Sequence, residues 1–262
     1  MILFAGIPSE PPLELAIAAA ERIGEPYVLF SQRKILDARM NFRVTPGGCP
    51  TGWLELDGEG WPLEVFSGVY TRYMDYRLLP EVKRAADPER ALGQAERLHH
   101  VFTQWSELAP CTVVNRVSAM GSNNAKPYQA SFIAAAGFDL PETLVTNDPD
   151  LVREFRARHG DIIYKSISGA RSIVTTLGLK DESRLPMIRW CPVQFQEQVK
   201  GYDVRVHVLG AEVFATRIHS EATDYRYAGA QVGESARLEP YDLPAEIAAR
   251  CIRLTADLGL LF

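Results

Sequence analysis

Three apolar runs with period-two alternation constrain this chain more than any other feature. They are Val193 to Val199, Val204 to Leu209 and Val213 to Ile218. Gly201-Tyr202 and Gly210 separate them, so the pattern predicts an antiparallel meander with polar turns. The amino-terminal third follows a different rule. Ile2 to Ile7 is a short apolar run suited to a buried parallel strand. Ser9 then offers an N-cap, Leu13, Ala16, Ile17, Ala20 and Ile23 repeat at helical spacing, and Gly24 closes the helix. Tyr27 to Phe30 supplies the next strand, giving a βαβ-like opening.

Between these ends, Asp57-Gly58 flanked by alternating Trp53, Leu54, Leu56 and Trp61, Leu63, Val65 predicts a hairpin. Val69-Tyr70 forms a further short strand. A helix spans 88 to 108, with Leu92, Ala95, Leu98, Phe102, Trp105 and Leu108 on one face. His99 and His100 on that helix point about 100° apart, so they read as packing or solvated residues. A strand at Thr112 to Asn115 ends this region, and Lys126 to Ala136 forms a helix closed by Gly137. A strand starts at Leu144, and Asn147-Asp148-Pro149 starts another helix. Strands at 161–165 and 173–177 flank a loop of small residues. After the meander come polar loops over 220–240 and a helix over 244–258.

Composition limits the function classes. The chain has 262 residues, 47% hydrophobic and 23% charged, with a net charge of −5. It is long enough for one or two domains. The acidic balance argues against broad nucleic-acid binding. No stretch reaches the roughly 18 apolar residues of a membrane span, and the N-terminus lacks the basic region of a signal peptide. Cys49, Cys111, Cys191 and Cys251 are widely spaced without a CxxC pair, so they read as buried thiols of a cytoplasmic protein rather than zinc ligands. The GxGxxG, HExxH and GxSxG patterns are absent.

Four segments carry candidate chemistry. Lys126 opens a helix after the polar residues Ser122, Asn123 and Asn124; it is either a phosphate contact or a surface lysine. Lys165 ends the apolar strand Ile162-Ile163-Tyr164 and reads as a phosphate contact or a snorkelling edge lysine. In the loop Ser166 to Ser172, small residues such as Ser168 and Gly169 let backbone N–H groups approach a phosphate, and Arg171 could add charge. Gln196, Glu197, Gln198 and Val199 leave the sheet where an adenine edge could pair with backbone groups. Glu197 could accept from the amine, and Asp203 from ribose hydroxyls; a charged strand edge is the plain alternative. Arg217 lies among apolar residues and needs either an anionic ligand or Asp203 or Asp224 as partner. His219 reads as a packing residue.

In order and spacing these segments resemble the ATP-grasp superfamily, near the ribosomal-protein glutamate ligases and the ligases that cyclise ribosomal peptides. NRVSAMGSNNAKPYQASFIAAAGFDLPETLVTND (115–148) is similar to that branch's entry into the fold. IIYKSISG (162–169) is similar to its second lysine and glycine-containing loop, and FQEQVKGYDVRVHVLGAEVFATRIHSEATDYR (195–226) to its hinge and meander.

The resemblance implies an α/β and α+β fold: a Rossmann-like pre-ATP-grasp domain at 1–112, a central lobe at 113–190 and a carboxy-terminal lobe at 191–262. It implies that Lys126 and Lys165 hold phosphates under the 166–172 loop, that Glu197 to Val199 form the adenine hinge, and that Asp203 meets the ribose. Arg205 and Arg217 would orient the acyl phosphate or incoming substrate. The implied activity is an ATP- and Mg2+-dependent carboxylate–amine ligase acting on a peptide or amino acid, with homo-oligomers allowed. The family's magnesium ligands follow the helix at 244–258, so they are expected beyond Phe262 and no metal ligand is assigned within the sequence. On that basis the chain is expected to turn over little ATP. A degenerate or truncated relative that binds nucleotide or peptide without turnover is the alternative, and a kinase-like phosphotransferase on the same fold a third.

Overall fold

The computed structural model describes residues 1–167 and 173–262, with all their side chains except that of Asn124. The chain divides into two compact units, Met1–Ala119 and Met120–Phe262.

The first unit opens with β1 (Ile2–Gly6), α1 (Pro11–Ile23) and β2 (Tyr27–Ser31). Glu10, not Ser9, occupies the N-cap of α1, because Pro11 takes the first turn, where a missing N–H costs nothing. Gly24 closes the helix at φ 71°. A small antiparallel sheet follows, made of β3 (Arg39–Val44), β4 (Pro50–Leu56) and β5 (Glu59–Pro62). Asp57 and Gly58 both have positive φ, as a tight two-residue hairpin turn requires. Strand β3 goes beyond the sequence expectation. Then come β6 (Gly68–Arg72), α2 (Pro80–Lys83), α3 (Pro88–Leu108) and β7 (Thr112–Val114). Strands β2, β1, β6 and β7 form one parallel sheet in that order. Helix α3 buries Ala91, Ala95, Leu98, Phe102 and Trp105 into a core with Leu3, Phe30, Leu54 and Val69. His99 packs against the rings of Tyr73 and Tyr76, at 5.3 and 5.2 Å.

The second unit begins with α4 (Lys126–Ala135), β8 (Thr143–Thr146), α5 (Pro149–His159), β9 (Ile162–Ser166) and β10 (Thr175–Thr176). A run of 3-10 turns, Leu179–Trp190, leads to β11 (Val193–Glu197). Strands β10, β9, β11 and β8 make an antiparallel sheet, the central sheet below. On one face Val152 and Phe155 of α5 pack with Ile162, Leu185 and Phe195. Strands β12 (Asp203–Leu209) and β13 (Glu212–His219) form the meander, joined after α6 (Ala228–Gln231) by β14 (Arg237–Pro240). This corrects the expected three-strand meander, because the first of its runs, β11, pairs with β8 and β9 in the central sheet. Strand β14 lies in the stretch expected as loop; its four residues are all exposed and carry no apolar alternation. Helix α7 (Ala245–Asp257) follows. No helix among the described residues is long and apolar enough to cross a membrane. Cys49 and Cys191 are exposed and Cys111 and Cys251 half-buried, which corrects the expectation of four buried thiols.

Candidate nucleotide site

The central sheet has two chemically distinct faces because its strands alternate. Register pairs Lys165 with Gln194 and Ile163 with Gln196, and pairs Tyr164 with Phe195. Directly opposed residues share a face. One face therefore carries Ile163, Lys165, Gln194 and Gln196, and the other Ile162, Tyr164, Val193, Phe195 and Glu197.

The polar face borders a cavity of about 430 Å³ at the exit of β11. Gln196, Glu197, Gln198, Val199 and Asp203 all line it, together with Tyr202 and the stretch Ile218 to Thr223. Lys165 adjoins its wall, with Nζ 3.4 Å from Gln196 Oε1, while Gln196 Nε2 donates to Thr143 Oγ1 at 3.0 Å. The Lys165 ammonium is held below its usual pKa, first by burial and then by the positive charges of Lys126 and Arg226. Lys126 is the first residue of α4, whose capping residue Ala125 offers no side-chain acceptor. Helix dipole and cations thus add in sign, and the site favours an anion.

Arg226 belongs with the two lysines, although sequence reasoning gave it no phosphate role. Its signal was its place in Asp224-Tyr225-Arg226 at the end of the meander segment. Asp224 accepts from Arg226 Nε at 2.8 Å and Nη2 at 2.6 Å, and from the Val174 N–H at 3.2 Å. Its carboxyl is held below the usual range mainly by those Arg226 bonds. Gln231 completes the fastening, accepting from Asp224 N and donating to Val174 O. Loop 222–227 and the approach to β10 are thereby fixed to each other.

The hinge differs from expectation in which atoms are free. The Glu197 carboxylate lies on the α5 face, where Oε1 accepts from Glu142 N at 3.0 Å and Oε2 is 3.4 Å from His159 Nδ1. Its own N–H donates to Glu142 O, and Gln198 N–H to Asp161 O. The side chain thus braces the hinge from behind, a consequence of the alternation that sends Gln196 to the cavity.

The two arginines expected to act together lie on opposite faces of the meander. Arg205 pairs with Thr216 and shares a face with Asp203, whereas Arg217 pairs with Val204 and Glu239. Arg205 donates to Tyr225 Oη at 2.7 Å and to His207 Nε2 at 3.2 Å. Arg217 instead lies over the Tyr202 ring, 4.1 Å from its centroid. Neither Asp203 nor Asp224 is its partner: Asp224 is taken by Arg226. His219 bonds Glu239 at 2.9 Å. Ser166 is exposed at the end of β9. Ser168, Gly169 and Arg171 lie outside the described residues.

Among the described residues no group of three or more His, Cys, Asp and Glu side chains is gathered as a metal site. None is therefore assigned to magnesium.

No protein-family model and no curated protein matches the chain. Solved structures do. The ATP-grasp ligase PsnB complexed with a minimal precursor is 26% identical with a TM-score of 0.75, over 99% of this chain and 82% of that one. A RiPP-associated ATP-grasp ligase from Chryseobacterium gregarium, in complex with ADP and a leader and core peptide, gives 21% and 0.80 over 99% and 82%. Macrocyclase MdnC from Microcystis aeruginosa MRC, bound with precursor peptide MdnA, gives 21% and 0.77 over 100% and 85%.

Proposed function

This chain has the ATP-grasp fold, near the ligases of ribosomal peptides, and from that premise we propose that it is an ATP-dependent carboxylate–amine ligase with a peptide substrate. The observation that carries the proposal is Lys165 on the polar face, its ammonium beside Gln196 at the wall of the hinge cavity and acted on by the charges of Lys126 and Arg226. Three cations, one of them half-buried, are stabilised together by a polyanion. The adenine would lie against the backbone of Glu197 to Val199, with the ribose at Asp203 and the triphosphate over Lys165 toward Lys126 and Arg226. PsnB has been solved with Mg and ADP and with AMPPNP, which supports a nucleotide ligand.

The chemistry follows in two displacements. A substrate carboxylate oxygen attacks the γ-phosphorus, the bond to the β-phosphate oxygen breaks, and ADP leaves. The amine nitrogen then attacks the acyl carbon, loses a proton, and phosphate leaves with the bonding pair. Both steps need in-line placement and neutralised charge. Lys165 and Arg226 supply the charge. Arg205, held by Tyr225 and on the face of Asp203, is suited to the acyl phosphate; Arg217, stacked on Tyr202, is not assigned there.

The peptide would dock on the other face of the central sheet. There Tyr164, Leu177, Leu185, Ile188 and Phe195 line an apolar cavity of about 200 Å³, with Asp181 and Arg184 at its wall. Beside it Leu179, Met187 and Trp190 stand out from the 3-10 run, Trp190 at 91% exposure. Such a cluster suits a protein or peptide partner, and all three solved relatives above are peptide complexes.

Calorimetry with AMPPNP tests the nucleotide half: binding in the micromolar range is expected, and none at millimolar nucleotide overturns it. Selection of displayed random peptides tests the other half. Enriched peptides are expected to bind Trp190→Ser about tenfold more weakly, as loss of an aromatic anchor implies; equal binding places the docking face elsewhere.

A further inference from the structure

We infer that His159 is a positioning residue of the adenine hinge, and that its protonation tightens nucleotide binding. The inference rests on the nucleotide reading above. His159 ends α5, with its ring 4.4 Å from that of Phe155 and its side chain 15% exposed. Two carboxylates face it from opposite sides. Nδ1 is 3.4 Å from Glu197 Oε2 and Nε2 is 3.3 Å from Glu142 Oε2. Nε2 is buried and makes no hydrogen bond. Residues 142 and 197 are also tied directly, through Glu197 N–H to Glu142 O at 3.1 Å and Glu142 N–H to Glu197 Oε1 at 3.0 Å. Their chain neighbours Pro141 and Gln198 line the nucleotide cavity. His159 therefore stands directly behind the strap that presents the hinge backbone.

A neutral imidazole carries one N–H and can donate to only one of these carboxylates; the imidazolium carries two and can bridge both. Charges on the neighbouring elements do not remove the need. Arg158, on the same helix, reaches Glu142 at 3.2 Å by its other oxygen, Oε1. Asp161, before β9, pairs with Lys200 of the hinge loop at 3.7 Å. Glu142 Oε2 and Glu197 Oε2 are left to His159. Gaining the second proton closes both contacts and holds the strap in one arrangement, so less ordering remains for the nucleotide to impose.

The test compares AMPPNP affinity of the unmodified chain with His159→Gln and Glu142→Gln between about pH 8 and pH 5.5, the range that spans histidine titration. Titration of the nucleotide's own phosphates is common to all three and cancels in the ratios. The ratio of affinities, unmodified over His159→Gln, is expected to rise about fivefold as pH falls, and Glu142→Gln to lose most of that rise. A ratio constant with pH overturns the inference, because a merely structural histidine would change affinity equally at every pH. If the unmodified chain binds no AMPPNP at any pH, the nucleotide reading itself fails and takes this one with it. By linkage, AMPPNP must also move the mid-point of the His159 ring titration upward, by about 0.7 pH unit for a fivefold effect. That measurement uses the unmodified chain and decides the matter should His159→Gln not fold: an unmoved mid-point overturns the inference.

Discussion

Lys165→Ala is expected to weaken AMPPNP binding about 10- to 100-fold in calorimetry, the range of one charge-assisted contact, or about 1.5–3 kcal/mol. Three features place the value toward the upper end. The ammonium is half-buried, so water screens it little. It projects from a strand paired on both sides, by β10 and β11, so it is held rather than recruited. Its charge is raised in energy by Lys126 and Arg226, and an anion relieves that strain at the moment of binding. Lys126→Ala should cost several-fold less, since α4 presents it at a freer helix terminus. The unfolding midpoint of Lys165→Ala should rise slightly without nucleotide, because one of three crowded cations is gone. A variant that binds AMPPNP like the unmodified chain would remove Lys165 from the site.

The second large effect concerns stability. Asp224→Ala is expected to destabilise the second unit by about 2–3 kcal/mol, below the 3–5 kcal/mol of a fully buried broken pair, because Arg226 is half-exposed. The Asp224 side chain itself is only 3% exposed. Its removal leaves Arg226 without its acid and the Val174 N–H without its acceptor. The effect should depend on pH in a defined direction. The folded-state carboxyl is depressed, so its stabilisation is fully present above the ordinary aspartate range near about pH 4 and disappears as pH falls through the depressed value. Urea unfolding should therefore separate the two chains widely at neutral pH and bring them together in strong acid. A separation that does not change with pH would mean that the carboxylate charge is not what matters.

Sequence periodicity reached most of the framework. The β12–β13 hairpin, α3 and the Asp57-Gly58 hairpin each repeat one strong local signal, and the structure keeps them within a residue or two. Strand β11 keeps its place but not its expected partner, because it pairs with β8 and β9 instead of β12. Strand β14 was not legible because Arg237 to Pro240 borrows its order from pairing with β13 rather than from its own side chains. The 3-10 run at 179–190 was missed for a similar reason: Pro186 breaks helical spacing, and burial of Leu185 and Ile188 holds it in place. In the site, residue type and order pointed to Lys126, Lys165 and the 196–199 exit. Facing did not follow as readily. Glu197 has the right chemistry for an adenine amine but the wrong parity on its strand. Arg205 and Arg217 are an even number of residues apart, yet the turn at Gly210 and the register of the hairpin put them on opposite sides. Arg226 could be found only once Asp224 was seen to hold it.

The two-faced strand β9 limits how such a protein can change its clientele. Tyr164 and Lys165 are joined by one peptide bond, so altering the apolar floor at β9 or β11 displaces the cation on the opposite face. Under the proposed function, new peptide preferences are therefore more easily written in the outlying stretch of Leu179, Met187 and Trp190, where side chains can be exchanged without moving Lys165.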